Sequence, residues 1–335
     1  MLIQNNVSLI NLNTLHLNCI CKYFVELNCI DILTEIHNFI KNEKINFIII
    51  GDGSNIILPE LFNGLVIYNK LLGKKIISQD SEEVIISAMA GENFNNFITY
   101  CLNNNYYGLE NLSLIPGSIG ATPIQNIGAY GSEIKNFIEY VIVYDLSLNQ
   151  IIKLSNKDCN FEYRFSIFKL KKNYLVIEVI FKLFLTYKLN TTYAEVSKRV
   201  SNIENCTPAI LRDIIIDIRK SKLPNPKLLP NVGSFFHNPK IKSNHLFKLK
   251  KQFKDISYHM IDQEMYKIPA GWLIDNLGLK GYKIGNVGVY EKQALILVNY
   301  SNATQSEILN LANYIQNKVL LTYDIKLEIE PEIIY

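Results

Sequence analysis

The residues that could do chemistry begin with a run that carries few large side chains. Gly108–Gly131 reads GLENLSLIPGSIGATPIQNIGAYG, the densest stretch of glycine and small residues in the chain. Glycine lets a main chain take positive φ and approach a ligand closely. Successive amides in such a turn make an anion-binding concavity without a helix or a lysine. The chemistry implied is the holding of a phosphate-bearing ligand by backbone. A second turn, Gly51-Asp52-Gly53-Ser54-Asn55, follows the β-branched run Ile45–Ile50. It reads either as a further set of exposed amides or as an ordinary connection between strands. Glu328, Glu330 and Glu332 recur at every second residue, which on an extended segment puts three carboxylates on one face, where crowding of like charge raises a carboxyl pKa. The alternative is a solvated acidic edge, and Pro331 interrupts the alternation.

Other chemistries fit less well. Cys19, Cys21, Cys29, Cys101, Cys159 and Cys206 show no CxxC spacing and no nearby histidine partner, so they read as buried free thiols and no metal site is expected. In the GDGSN turn the third glycine of a dinucleotide fingerprint would fall on Ile56, and no helical pattern follows, which excludes a Rossmann site. A net charge of +3 with dispersed basic residues gives little support for nucleic acid as a partner. The start lacks a signal-peptide pattern and no long uncharged apolar window occurs, so the chain reads as soluble and cytoplasmic, with no membrane partner. The abundance of asparagine, isoleucine, lysine and tyrosine reads as compositional drift.

These residues need a scaffold, and 335 residues at 48% hydrophobic content can bury a large core in two or three domains. Ile45–Ile50, Leu65–Tyr68 and Val84–Ala88 read as strands, and Glu92 to about Leu102 as a helix with Phe94, Phe97, Ile98 and Cys101 on one face. Phe137–Leu146 with Gln150–Leu154 reads as a hairpin, and Tyr174–Tyr187 as a long strand or a pair. Thr207-Pro208 starts a helix with Ile210, Leu211, Ile214, Ile215 and Ile218 inward, and opens a second compact unit. A helix is expected at Ala270–Leu277 and a strand at Ala294–Val298. Thr304 and Glu307 form a capping box, and Ile325–Glu332 alternates like a half-exposed strand.

Taken in order, GDGSN, PGSIGATPIQNIGAYG, the Tyr163-Arg164 loop, GSFFHNP at Gly233–Pro239 and the terminal Glu-Pro-Glu resemble the UDP-N-acetylenolpyruvoylglucosamine reductases of the longer, type I form. The likeness runs from Asn13-Thr14 to Glu332. It implies an α+β protein with a vanillyl-alcohol-oxidase (PCMH-type) FAD-binding fold of two α+β subdomains and a C-terminal α+β substrate-binding domain. The expected division is 1–70 for the first FAD-binding subdomain, to which the C-terminal strand 325–335 can return, 71–206 for the second, and 207–324 for substrate. The resemblance also implies an FAD-lining set: Gly51, Gly53, Ser54, Asn55, Pro116, Gly117, Ile119, Gly120, Ala121, Gln125, Asn126, Gly128 and Gly131. Gln125 and Asn126 are expected to hydrogen-bond on the flavin side.

The reaction so implied has NADPH reduce FAD and leave, after which the enolpyruvyl sugar nucleotide takes hydride at its β-carbon and a proton at its α-carbon. Charge developing on the substrate carboxylate must be stabilised. Arg164 matches the family's catalytic arginine, a fixed and always charged fork; without the resemblance it reads as a surface or salt-bridging residue. Glu332 matches the carboxyl that shares a proton with the enolate, and Ser234 matches the proton donor, a weak acid that serves only beside a strongly basic carbon. Tyr163, Tyr193, Lys222, Asn238, Lys280 and Gln293 match substrate-binding positions, although lysine at a helix end such as Lys222 also suits the helix dipole. Phe165 replaces the aspartate usual after the arginine and removes an anchor for it. Pro230-Asn231-Val232 replaces a more glycine-rich lead into the serine turn. No separate NADPH fingerprint occurs, and the resemblance implies that the nicotinamide uses the substrate's site in turn, hence ping-pong kinetics; the expected form is a monomer. Two other readings are a flavin oxidase of the same superfamily and a non-catalytic flavin-binding relic. No histidine lies in either glycine turn to tether a flavin, and the retention of Arg164, Ser234 and Glu332 together argues against the relic.

Overall fold

Tyr174–Phe184 is apolar almost throughout because both of its faces are covered. It is the middle strand of a five-stranded antiparallel sheet in the order Gln150–Ser155, Ile138–Asp145, Tyr174–Phe184, Glu83–Met89, Lys74–Gln79. On one face Val179, Phe181 and Leu183 pack with Phe94, Phe97, Ile98 and Cys101 of the helix Phe94–Asn103. On the other, Leu175 and Ile177 meet Val25, Leu65 and Ile67 of a second sheet and Leu33 and Ile36 of the helix Leu33–Glu43. That second sheet has the order Gln4–Ser8, Ile20–Leu27, Leu61–Asn69, Phe47–Ile50, its last pair parallel.

The computed structural model describes all 335 residues. They fall into two units, each discontinuous in sequence: 1–7, 21–52 and 63–221 in the first, and 8–20, 53–62 and 222–335 in the second. Strands and helices are mixed, with antiparallel pairing dominant, the α+β class expected. The helix Pro208–Lys222 packs Leu211, Ile214, Ile215 and Ile218 on Val196 of the short helix Ala194–Val200, and up to Ser221 it lies in the first unit.

The second unit is built on an antiparallel sheet in the order Asn231–Ser234, Ile296–Asn299, Val287–Val289, Lys283–Ile284. Against it lies the helix Gln305–Tyr323, whose Ile308, Leu311, Ile315 and Val319 share a core with Phe235, Phe236, Leu273 and Ile274. The capping box is formed as expected, with Thr304 accepting from the Glu307 amide and the Glu307 carboxylate accepting from the Thr304 amide. Leu15, Leu17 and Ile57 complete that core from segments distant in sequence. Of the expected strand Ile325–Glu332, only an isolated bridge at Ile329 and the start of the strand Glu332–Ile333 form. That short strand pairs in parallel with Ile56–Ile57. Proline at 331 has no N–H to give a ladder, which breaks the segment at that point. No helix is long and apolar enough to cross a membrane.

Candidate active site

In the first unit the glycine-rich stretch lies along the end of the five-stranded sheet. The amide of Ile119 donates to the Glu92 carbonyl and that of Gly120 to the Ala90 carbonyl, each at 2.8 Å. A side chain on Gly120 would put its Cβ 2.6 Å from that of Ala90, so only glycine fits there. Gly117 has φ +124°, and the buried amides of Gly117 and Ser118 donate to no protein acceptor. Buried amides are otherwise nearly always paired, and two in succession at a left-handed glycine form the concavity that a pyrophosphate fits. Gly51 faces the same place, since a Cβ on it would lie 2.3 Å from Ser118 Oγ. Ile119 is fully buried in the core, Pro116 is exposed, and Ala121 and Gln125 are half-buried.

Asn126 is fully buried with φ +44°, and its carboxamide is committed within the protein. Nδ2 donates to Glu133 Oε2 at 3.0 Å and to the Glu162 carbonyl at 2.9 Å, and Oδ1 accepts from the Lys135 amide at 3.1 Å. It therefore joins the short hairpin Gly128–Ala129/Ser132–Glu133 to the turn that carries the arginine. In that turn Glu162 and Phe165 exchange backbone hydrogen bonds around Tyr163 and Arg164, with Arg164 at φ +55°. Ser166 Oγ, donating to the Ile124 carbonyl at 2.6 Å, fixes its far side to the cradle. Arg164 Nη2 donates to the Gly128 carbonyl at 3.0 Å, and the guanidinium lies over the Tyr163 ring at 5.3 Å. The anchor that Phe165 cannot give is thus supplied by the cradle's own main chain.

Tyr193 is 42% exposed and stands edge-on to Tyr130, ring centroids 5.1 Å apart. Burial pushes the Tyr130 phenol up, and the positive charge of Arg219 beside it acts in the opposite sense. Gly131, at φ +83°, lies under Thr192, whose Oγ1 would be 2.4 Å from a Cβ at that position.

In the second unit Gly53 has φ +59°, and a Cβ there would lie 2.1 Å from the Leu12 carbonyl oxygen, so the GDGSN turn packs main chain to main chain on Leu12–Asn13. Asn13, 2% exposed, holds that segment by donating to the carbonyls of Leu9 and Leu17. Ser54 and Asn55 are half-buried, and the Asn55 carbonyl accepts from the Glu332 amide at 3.0 Å. Ser234 ends the strand Asn231–Ser234, just after Gly233 at φ +72°. The chain continuing from it pairs with the C-terminal segment: the Glu330 amide donates to the Phe235 carbonyl and the His237 amide to the Glu328 carbonyl, both at 2.9 Å. This pairing is antiparallel through Phe236 and Ile329, so stepping back toward Ser234 on one side steps forward toward Glu332 on the other. Glu332 thus lies between the GDGSN turn and the serine segment. The three carboxylates differ in setting: Glu328 is exposed, Glu330 is buried with His237 Nδ1 at 3.4 Å, and Glu332 is half-buried.

Asn238 Oδ1 accepts from the Ala270 amide at 2.8 Å, and Gln293 Oε1 lies against Gly271, so both meet the first residues of the helix Ala270–Asn276. Lys280 is exposed and paired with Asp275 at 2.8 Å, and Lys222 closes the helix Pro208–Lys222. A cleft of about 680 Å³ lined by Lys240, His245, Lys248 and Lys326 holds none of these residues. The sequence reading passed over Asn111, 2% exposed, whose carboxamide links the cradle to the tyrosine loop.

Residues 225–334 match the family model described as UDP-N-acetylenolpyruvoylglucosamine reductase, C-terminal domain, and 21–154 match an FAD binding domain. The UDP-N-acetylenolpyruvoylglucosamine reductase of Flavobacterium johnsoniae is 40% identical over 338 residues, covering 99% of each chain. That of Bdellovibrio bacteriovorus is 42% identical over 335 residues, again covering 99% of each. The crystal structure of the Thermus caldophilus reductase superposes with a TM-score of 0.68 at 19% identity over 99% of both chains, a likeness of fold.

Proposed function

The chain belongs to the UDP-N-acetylenolpyruvoylglucosamine reductase family, and from that premise we propose which of its residues carry the reaction. The activity is the FAD-dependent reduction of UDP-N-acetylglucosamine enolpyruvate to UDP-N-acetylmuramate, a step of peptidoglycan precursor synthesis. FAD, when bound, supplies the hydride, which it takes from NADPH. Gly51, the Pro116–Ala121 stretch, Gly128 and Gly131 hold it by main chain, and Gly53, Ser54 and Asn55 are further FAD-lining positions that the family resemblance implies. Asn126 serves the cofactor indirectly, by keeping the cradle and the arginine turn in register.

Arg164 stabilises the charge that builds on the substrate carboxylate as hydride reaches the β-carbon. It is suited to that by its bond to Gly128 and its place over Tyr163, which fix the fork before substrate arrives. Ser234 gives its hydroxyl proton to the α-carbon, and Glu332 shares a proton with the enolate. Tyr163, Tyr193, Lys222, Asn238, Lys280 and Gln293 bind the sugar nucleotide. The observation that carries this reading is the ladder in the second unit, in which Glu332 bonds to Asn55 of the glycine turn while its own segment pairs with the chain leaving Ser234.

Anaerobic stopped-flow absorbance tests the serine. Ser234→Ala is expected to leave NADPH reduction of the bound flavin near the parent rate and to slow reoxidation by the enolpyruvyl substrate by about 10²-fold or more, the usual contribution of a positioned proton donor. Equal slowing of both halves would remove Ser234 from the proton-donor role.

A further inference from the structure

Asn111 lies in the first 3-10 turn of the glycine-rich stretch, Glu110–Leu112, and is 2% exposed. Its single carboxamide nitrogen donates to two carbonyls that belong to different loops: Tyr130 at 2.8 Å, in the cradle hairpin, and Asn190 at 2.9 Å, in the segment leading to Tyr193. The two loops are also joined directly. Asn190 Nδ2 donates to the Gly131 carbonyl at 3.0 Å, and Asn190 Oδ1 accepts from the Thr192 hydroxyl at 2.7 Å and from the Thr192 amide at 3.2 Å. Thr192 sits so close over Gly131 that only a residue without Cβ fits beneath it. Tyr193 begins the helix Ala194–Val200 with no side-chain cap, and its ring rests on that of Tyr130. What locates Tyr193 is therefore the Asn190 turn on one side and the Tyr130 ring on the other, and Asn111 grips the main chain of both.

We propose that Asn111 is a positioning residue for sugar-nucleotide recognition: by bonding Tyr130 and Asn190 through one amide group, it sets the place of Tyr193 from the cofactor cradle. The proposal rests on the reading of Tyr193 as a substrate-binding residue. It makes the cradle and the tyrosine loop one mechanical piece, so that the loop reads substrate in a frame defined by the residues that hold the flavin. Asparagine suits the joint because a short neutral side chain with two donors on one atom can serve two carbonyls at once. Leucine keeps the volume and removes both bonds, and a buried carbonyl left without its donor favours movement of the loop that carries it.

The test compares Asn111→Leu, Asn190→Ala, Tyr193→Ala and the doubles with Tyr193→Ala, using the FAD-loaded oxidised protein. Calorimetric titration with UDP-N-acetylglucosamine enolpyruvate gives affinity, absorbance gives flavin content, and stopped flow gives NADPH reduction. Asn111→Leu is expected to weaken sugar-nucleotide binding about tenfold, the scale of one to two lost buried hydrogen bonds, with flavin content and NADPH reduction kept. The double with Tyr193→Ala is expected to bind no more weakly than Tyr193→Ala alone. Asn190→Ala, on a half-buried loop, is expected to show the same pattern and decides the matter if Asn111→Leu does not fold. Weakening by Tyr193→Ala alone, with no effect of either asparagine variant or with fully multiplicative doubles, overturns the positioning role. Unchanged binding in Tyr193→Ala overturns the reading of Tyr193 on which it stands.

Discussion

Replacing Asn126 gives a sharp check on how the cradle holds the catalytic turn. In Asn126→Ala the Glu162 carbonyl and the Lys135 amide lose their partner at a site with no solvent exposure. Each unsatisfied buried group costs about 1–3 kcal/mol, and placing alanine at φ +44° adds about 1 kcal/mol. A loss of about 3–7 kcal/mol corresponds to about 10–20 °C in melting temperature for a unit of this size. The more informative variant is Asn126→Asp, which keeps the shape but turns a carboxylate oxygen toward Glu133 Oε2 and the Glu162 carbonyl, where the amide had donated. Its destabilisation should be partly reversed by adding Glu133→Gln, which removes the like charge and returns a donor to the pair. Because Glu162 heads the turn of Arg164, both single variants should slow flavin reoxidation by substrate more than flavin reduction by NADPH. Melting curves and anaerobic stopped flow on the four proteins measure all of this. If Asn126→Asp melts and turns over as the parent does, or if Glu133→Gln recovers none of the loss, the carboxamide does not hold the turn.

Two further outcomes follow from groups whose settings are unusual. Burial raises the pKa of Glu110, outweighing its bonds from the Gly108 amide. A carboxyl with a raised folded pKa binds its proton more tightly in the native state, so its contribution to stability is largest below the ordinary carboxylate pKa and declines as pH rises through the interval up to the folded value. In Glu110→Gln that component is absent, so the melting temperature of the variant should gain on the parent as pH rises from the carboxylate range toward neutrality; a difference that shrinks would refute the assignment. Gly53→Ala must place a methyl group 2.1 Å from the Leu12 oxygen at φ +59°. Strain of at least about 1 kcal/mol and displacement of the GDGSN turn should lower both thermal stability and retained FAD, measured by melting and by absorbance after gel filtration.

What could be read from the sequence was whatever local chemistry decides. The capping box at Thr304 and Glu307, the apolar face of Phe94–Asn103 and the doubly covered strand Tyr174–Phe184 all declare themselves within a few residues. The family motifs gave the fold class and the activity. The alternating Ile325–Glu332 segment read as one strand, but alternation does not say which partners lie alongside: it pairs in two pieces about Pro331, Glu328–Glu330 with Phe235–His237 and Glu332–Ile333 with Ile56–Ile57. Asn111 was the larger omission. The abundance of asparagine looked like drift, yet Asn111 and Asn126 are buried and each ties together segments distant in sequence. Nothing local marks them, since Asn111 and Asn190 lie 79 positions apart and Asn126 and Glu162 lie 36 apart.

The discontinuity of the second unit limits what can be exchanged between relatives. The matched block 225–334 looks like a cassette when laid out as a line of sequence. Leu15, Leu17 and Ile57 are nevertheless fully or almost fully enclosed in its core, and Ile56–Ile57 is the edge on which Glu332–Ile333 is hung. A transplanted block would open a greasy hole and leave its terminal strand without a neighbour. Recombination that keeps the enzyme folded has to move 8–20 and 53–62 with it as one hereditary unit, so shuffling of the two halves between distant reductases is expected to succeed only when these three segments come from the same parent.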